Sequence, residues 1–390
     1  MPDLHFSERV EGLSGSAIRE IFKLLARPNM ISFAGGNPAP FALPDNEVAQ
    51  IAKEVLLKDG KTILQYGATE GYKPFLETLV PYIKEYFGFS TTKEQILPTT
   101  GSTQAMNLLC AALINKDDVI LVEDPTFLGN MQCMRLYQAN LVAVKSDAEG
   151  MDVVDLEEKI NRHHPKMIYV IPTFQNPTGQ TLSLERRKKI ASLASQYGVI
   201  VAEDDPYHDL RYEGENLPSI KSFDTDGWVA FMGSFSKIIS PGLRVGYLVA
   251  NEALLRKCTI AKQSSDLHTG LLNQAICEAF ITKGLLKPHI QTICAKYKEQ
   301  MQTMLDCMKD MEAFEWFTKP QGGLFIFAGL KEGKNALTAL EKAVEKGVAY
   351  VPGTHFYANN GHENTLRLNF SNADTQTIKR GMALLNEALK

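Results

Sequence analysis

Residues 229–249 read Val-Ala-Phe-Met-Gly-Ser-Phe-Ser-Lys-Ile-Ile-Ser-Pro-Gly-Leu-Arg-Val-Gly-Tyr-Leu-Val. Two apolar runs, 229–232 and 245–249, have the length and composition of buried strands. The turn between them sets Lys237 among small hydroxyl residues on one side and Arg244 on the other. A lysine desolvated beside a second cation loses part of its preference for the ammonium form, and the neutral amine condenses with an aldehyde. Ser234, Ser236 and Arg244 are the partners a phosphate needs close by, so the stretch points to a phosphorylated aldehyde such as pyridoxal 5′-phosphate. Taken alone, it reads equally well as a surface lysine on an irregular turn.

Working outward, apolar segments at 96–100, 119–123, 141–145, 167–171 and 199–202 precede these two strands. Helical periodicity fills the gaps at 127–137, 156–163 and 184–197, and a glycine turn at Gly101 opens a further helix. Strands in alternation with helices predict an α/β unit: a mostly parallel seven-stranded sheet covered by helices on both faces. Ligands of such sheets sit at the carboxyl ends of the strands. Upstream, helices are expected over 16–26, 46–57 and 74–87. From residue 271 longer helices (271–282, 288–311, 336–345 and 375–389) mix with strands at 314–317, 324–328 and 365–370, which predicts a smaller α/β domain. The expected division is 45–270 for the large domain and 1–44 with 271–390 for the small one.

The bulk properties narrow the function classes. A chain of 390 residues with 44% hydrophobic and 22% charged residues is an ordinary globular composition, and its formal charge of −4 offers no basic face for nucleic acid or anionic lipid. The six cysteines (110, 133, 258, 277, 294 and 307) lack CxxC or metal-site spacing and read as free thiols of a reducing compartment. With no signal-peptide-like start and no long uncharged apolar stretch, the expected location is the cytoplasm.

The remaining motifs fall at predicted strand ends. Gly101-Ser102-Thr103 stands where a strand meets a helix, so unpaired N–H groups and the helix dipole favour an anion there; an ordinary helix cap has the same composition. Phe127, in Asp-Pro-Thr-Phe, offers an aromatic face to a flat ring or simply packs in the core. Asn176-Pro-Thr-Gly is a turn whose amide can donate to a ring oxygen, and such turns are also common for backbone reasons alone. In Glu203-Asp-Asp-Pro-Tyr, Asp204 can pair with a protonated pyridine nitrogen and so keep the ring an electron sink, while Tyr207 can reach the ring hydroxyl. Acidic pairs at strand ends also bind metals, but no His or Glu cluster accompanies this one, and no metal site is expected. Arg367 lies within an apolar strand, where a guanidinium needs a partner: either a carboxylate ligand or an internal Asp or Glu.

In this order the motifs, from the glycine-serine loop through the aromatic, Asn-Pro-Thr-Gly, Asp-Asp-Pro-Tyr and Ser-Phe-Ser-Lys to Pro-Gly-Leu-Arg, resemble the fold-type I pyridoxal-phosphate aminotransferases of class I/II. The likeness is to the group that includes 2-aminoadipate, kynurenine and multi-substrate aromatic aminotransferases, and it runs from residue 16 to the last helix. The resemblance implies that Lys237 joins the cofactor, Asp204 faces the pyridinium, Asn176 and Tyr207 contact the ring oxygen and Phe127 stacks on the ring. Phe127 stands where relatives often carry tyrosine, so a hydroxyl is missing from this site. By the same resemblance Ser102, Thr103, Ser234, Ser236 and Arg244, with Gly101 opening the turn, hold the phosphate, and Arg367 holds the substrate α-carboxylate. Tyr66 would reach the phosphate of a neighbouring subunit, implying a homodimer with shared sites. Gly36, in Phe-Ala-Gly-Gly-Asn-Pro, matches a backbone contact near the substrate, and Arg19, in Ser-Ala-Ile-Arg-Glu, matches an arginine that can bind a distal carboxylate.

The activity implied is a ping-pong transfer of an amino group from an L-amino acid, of aromatic, 2-aminoadipate or branched-chain type, to a 2-oxo acid such as 2-oxoglutarate. The closest rival is a lyase acting at a C–S bond, or a decarboxylase, on the same cofactor. A rival of another class is the non-catalytic ligand-binding module fused to bacterial transcription regulators. Motifs that begin by Arg19 leave that module no room for an N-terminal DNA-binding domain, and the acidic charge disfavours one.

Overall fold

A computed structural model of the chain describes residues 5–11, 30–359 and 361–390. The helix expected over 16–26, with Arg19 in it, lies outside the described residues. Among the described residues fourteen strands follow in order: β1 (Ile31–Ser32), β2 (Ile96–Thr99), β3 (Val119–Asp124), β4 (Asn140–Asp147), β5 (Gly150–Met151), β6 (Met167–Val170), β7 (Ile200–Asp204), β8 (Val229–Ser234), β9 (Gly246–Val249), β10 (Phe314–Phe317), β11 (Phe325–Leu330), β12 (Val348–Ala349), β13 (Val351–Pro352) and β14 (Thr365–Asn369).

The main sheet has the order β2-β9-β8-β7-β6-β3-β4-β5. Its middle, from β4 through β3, β6 and β7 to β8, is parallel, while β9 runs antiparallel to both β8 and β2. The seven strands expected from sequence are all present, and the two-residue β5 adds an antiparallel flap on β4. Because β2 therefore runs with β8, six strands end on one rim, at Thr99, Asp124, Asp147, Val170, Asp204 and Ser234, and β9 enters the sheet there just after Arg244. Gly246 pairs with Thr99 on one side and Ser234 on the other. A Cβ at Gly246 would come 2.8 Å from the Gly233 carbonyl oxygen and 2.9 Å from the Gly101 carbonyl carbon, so glycine is what lets these three segments close.

Successive side chains of the parallel strands enter different cores. Leu121, Ile168 and Val201 pack with Leu156, Ile160 and Ile190 of helices Val153–His163 and Leu184–Tyr197. Val122, Tyr169 and Ala202 face the opposite core, which takes in helices Ser102–Leu113 and Leu128–Leu136. Burial of each Leu, Ile or Val contributes about 1.5–3 kcal/mol, which is why the strands read as continuous apolar runs.

A second, antiparallel sheet has the order β10-β11-β14-β13, and Arg367 sits on an inner strand opposite Phe327 and Val351. β1 pairs in parallel with β12 and brings the Ala34–Asn37 segment toward this sheet; Arg367 reaches the Ala34 carbonyl. Helix Leu271–Thr282 lies on helices Asp45–Ile63 and Lys73–Phe87, with Leu271 and Ala275 clustered on Ile63. Two helices depart from expectation. That predicted over 46–57 continues to Ile63 across a break at Asp59, and helix Glu252–Gln263, capped by Asn251 accepting from Leu254 N–H, fills a segment where none was expected. All six cysteines are free thiols, and among the described residues no helix is long and apolar enough to cross a membrane.

Candidate active site

The rim of the main sheet and the inner strand of the small one enclose a cavity of about 330 Å³. Ser102, Thr103, Phe127, Asn176, Asp204, Tyr207, Ser234, Ser236, Lys237, Arg244, Gly36 and Arg367 all line it. Gly101 lies behind the cup, at φ +80° and packed so closely on the Arg244 guanidinium that any Cβ would collide with it. Tyr66 stands apart: 80% exposed, it meets His268 edge-on with ring centroids 6.3 Å apart.

Lys237 donates from Nζ to the Gly36 carbonyl at 2.8 Å. Desolvation, then the nearby Arg367 and Arg244 cations, lowers its pKa to about 8. Asp204 is buried at the end of β7; its Oδ2 accepts from Tyr169 Oη at 2.9 Å and Asn130 Nδ2 at 3.0 Å, while Oδ1 has no partner. Burial drives its pKa up to about 7, opposed by the Tyr169 hydrogen bond and reinforced by the Asp205 charge. A buried carboxylate oxygen without a donor is costly, and a protonated ring nitrogen supplies the missing one.

The anion cup is assembled from three strand ends. Helix Ser102–Leu113 starts at Gly101 with no side-chain cap, and the Gly101 carbonyl accepts from Gln104 N–H at 3.1 Å, so the Ser102 and Thr103 N–H groups are the ones open to an anion. The Ser234 hydroxyl donates to Ser236 Oγ at 3.0 Å, and Arg244, held at φ +51°, donates from Nη2 to the Thr100 carbonyl at 3.0 Å.

Arg367 is 2% exposed. It donates to Asn176 Oδ1 at 2.8 Å and to the Ala34 carbonyl at 2.7 Å, and lies over the rings of Phe325 (4.1 Å) and Phe356 (5.0 Å). Its Nε has no partner, and desolvation lowers its pKa to about 10 with Tyr207 opposing. Among the described residues no carboxylate pairs with it, so the internal salt bridge considered from sequence is not formed. Asn176 turns its Nδ2 toward Tyr207 Oη at 3.5 Å, and burial raises the Tyr207 phenol well above its usual range.

Sequence reasoning missed the residues that hold Asp204. Tyr169 is a polar tip within the apolar strand β6, and Asn130 lies one helical turn beyond Phe127. It also missed Glu123, buried under the site, where it accepts from Ile171 N–H at 2.9 Å; burial raises its pKa to about 8. A hydroxyl or carboxylate inside a strand that otherwise reads Leu, Ile and Val was the available signal.

Comparison with known proteins gives the class. The family model described as aminotransferase class I and II matches residues 28–385, and the chain belongs to that family of pyridoxal-phosphate-dependent aminotransferases. Aromatic-amino-acid aminotransferase 1 of Thermococcus litoralis is 42% identical, over 99% of this chain and 94% of the relative. Among solved structures, the multiple substrate aminotransferase from Thermococcus profundus superposes with a TM-score of 0.93 at 39% identity, covering 98% of this chain and 97% of that one. The α-aminoadipate aminotransferase LysN from Thermus thermophilus, solved with N-(5′-phosphopyridoxyl)-L-leucine, gives 0.91 at 36% identity, covering 98% of this chain and 97% of that one. The residues in the cavity fit the cofactor: an unfilled carboxylate oxygen for the ring nitrogen, an uncapped helix start for the phosphate and a desolvated amine for the aldehyde.

Proposed function

We propose that this aminotransferase moves the amino group of an aromatic, 2-aminoadipate or branched-chain L-amino acid to a 2-oxo acid such as 2-oxoglutarate, with Lys237, Asp204 and Tyr207 as its catalytic residues. The observation that carries the assignment is that one cavity holds both the Lys237 amine and the orphaned Asp204 Oδ1. The names of the relatives support the range of donors.

When bound, pyridoxal 5′-phosphate supplies an aldehyde and an electron-withdrawing ring. Lys237 Nζ, neutral in growing proportion as pH rises through about 8, is the group that would hold the aldehyde carbon, with loss of its oxygen as water, and, when free, would take the proton from the substrate Cα. Asp204 Oδ1 would accept from the ring nitrogen, with Tyr169 and Asn130 fixing its other oxygen. Asn176 Nδ2 and the Tyr207 hydroxyl would serve the ring oxygen, and Phe127 would cover the ring face. Ser102, Thr103, Ser234, Ser236 and Arg244 hold the phosphate. Arg367 grips the substrate α-carboxylate, with Asn176 and the Gly36 backbone beside it.

We further read the chain as a cytoplasmic homodimer in which Tyr66 reaches the partner's site and Arg19 meets a distal substrate carboxylate. Residues 45–270 form its large domain, and 1–44 with 271–390 the small one.

A panel of amino donors with 2-oxoglutarate tests the activity. Glutamate is expected to accumulate with aromatic, 2-aminoadipate or branched-chain donors, in parallel lines on a double-reciprocal plot; release of pyruvate and ammonia without a 2-oxo acid would refute transamination. Replacing Arg367 by methionine is expected to raise KM for the donor about 100-fold, since a buried charge-assisted contact to carboxylate is lost. The same substitution removes one of the two cations that depress Lys237, so the pH midpoint of cofactor attachment is expected to move upward from about 8.

A further inference from the structure

We propose that Lys262 and Asp266 are positioning residues for the cofactor phosphate: they immobilise Thr100, and through it Arg244 and the start of helix Ser102–Leu113. The inference rests on the reading of that cup as the phosphate site.

Lysine is rarely buried without a partner, yet the Lys262 side chain is fully enclosed. Its ammonium donates to Gln104 Oε1 at 2.7 Å and to both Asp266 oxygens, at 2.8 and 3.0 Å. Those acceptors in turn hold Thr100. Gln104 Oε1 takes the Thr100 backbone N–H at 2.7 Å, and Asp266 Oδ2 takes its hydroxyl at 2.9 Å. The third polar group of Thr100, its carbonyl, accepts from Arg244 Nη2. Thr100 is therefore tied on two sides and orients Arg244 with the third.

The placement of Gln104 explains why this arrangement suits an anion site. At the third position of its helix, a Gln ordinarily reaches back to the N-cap residue, while an N-cap side chain takes one of the first N–H groups. Here the N-cap is Gly101, which has no side chain, and Gln104 reaches one residue further back, to Thr100. The turn is thereby fixed while, among the described residues, the Ser102 and Thr103 N–H groups keep no protein acceptor; that of Gln104 donates to the Gly101 carbonyl at 3.1 Å. Asp266 is itself anchored, because the N–H groups of residues 265, 266 and 267 all converge on the Lys262 carbonyl.

The test compares binding of pyridoxal 5′-phosphate and of pyridoxal, which lacks the phosphate, to the full-length chain stripped of cofactor, for wild type, Asp266→Asn, Thr100→Val and Arg244→Met. Thr100→Val removes one hydroxyl and carries the test if Asp266→Asn fails to fold. Asp266→Asn and Thr100→Val are expected to weaken binding of the phosphorylated vitamer about tenfold, the loss of one bond to a charged group, and to leave pyridoxal binding unchanged. In the Arg244→Met background each is expected to have a smaller further effect, because the part exerted through Arg244 is already lost while the part exerted on the helix start remains. Equal loss for both vitamers, or no loss for either, would overturn the proposal, since a merely structural pair has no reason to distinguish them. If Arg244→Met itself leaves the preference for the phosphorylated vitamer intact, the phosphate reading of the cup falls and this inference with it. An Arg244 effect without an Asp266 or Thr100 effect overturns this inference alone.

Discussion

Lys237→Ala is expected to reduce transamination to background, a loss of at least about 10⁴-fold, and to remove the absorbance band of covalently held cofactor. The size follows from two jobs done by one atom. On the proposed reading Nζ would both hold the aldehyde carbon and carry the proton taken from the substrate, and among the described residues lining the cavity it is the only amine. The loss is also separable from unfolding. Desolvation and two arginines lower the Lys237 pKa to about 8, below its value in an unfolded chain, so at pH 7 the fold bears the cost of a charge it disfavours. That cost fades as pH rises through the folded value and on toward the unfolded one. Alanine abolishes it, so the cofactor-free variant is expected to melt within a few degrees of wild type at pH 7. A variant that kept both the band and the turnover would refute the assignment of Lys237.

Much of this site is legible in the chain because its groups sit at the ends of apolar runs. A parallel sheet brings such ends to one rim, so Ser102, Asp204 and Lys237, more than 130 residues apart from first to last, are neighbours by topology alone. Arg367 was legible as an oddity, a guanidinium in an apolar strand, but its partner was not; only the structure shows two carbonyl-type acceptors, two aromatic faces and, among the described residues, no carboxylate. Side chains that act on other side chains left weaker traces. Tyr169 passes for a core aromatic until its hydroxyl is found on Asp204, and Lys262 falls in a helix that periodicity did not single out. The reach of Gln104 to Thr100 depends on backbone geometry at Gly101 that no spacing rule encodes.

Asp204→Ala is expected to retain the cofactor, through Lys237 and the phosphate cup, while slowing removal of the substrate α-proton about 10³-fold in single-turnover measurements. The role requires a carboxylate rather than any polar group. Only an anion holds the proton on the ring nitrogen, and Asp204→Asn, nearly the same in shape, is therefore expected to be almost as slow. The surroundings of Asp204 set the pH at which it acts. Burial raises its pKa to about 7 in the cofactor-free protein, so the anion is lost as pH falls through 7; the arrival of a cationic ring nitrogen at Oδ1 stabilises the charged form and moves that loss to lower pH. Cofactor binding by the stripped wild-type protein is thus expected to weaken below about pH 7, whereas the pH profile of the loaded enzyme extends further toward acid. Tyr169→Phe deletes one of the two donors to Oδ2 and is expected to shift the acid limb of both profiles upward, with little change in the plateau. If Asp204→Asn turned over at the wild-type rate, or if Tyr169→Phe left both acid limbs in place, the carboxylate would not be the group that keeps the ring protonated.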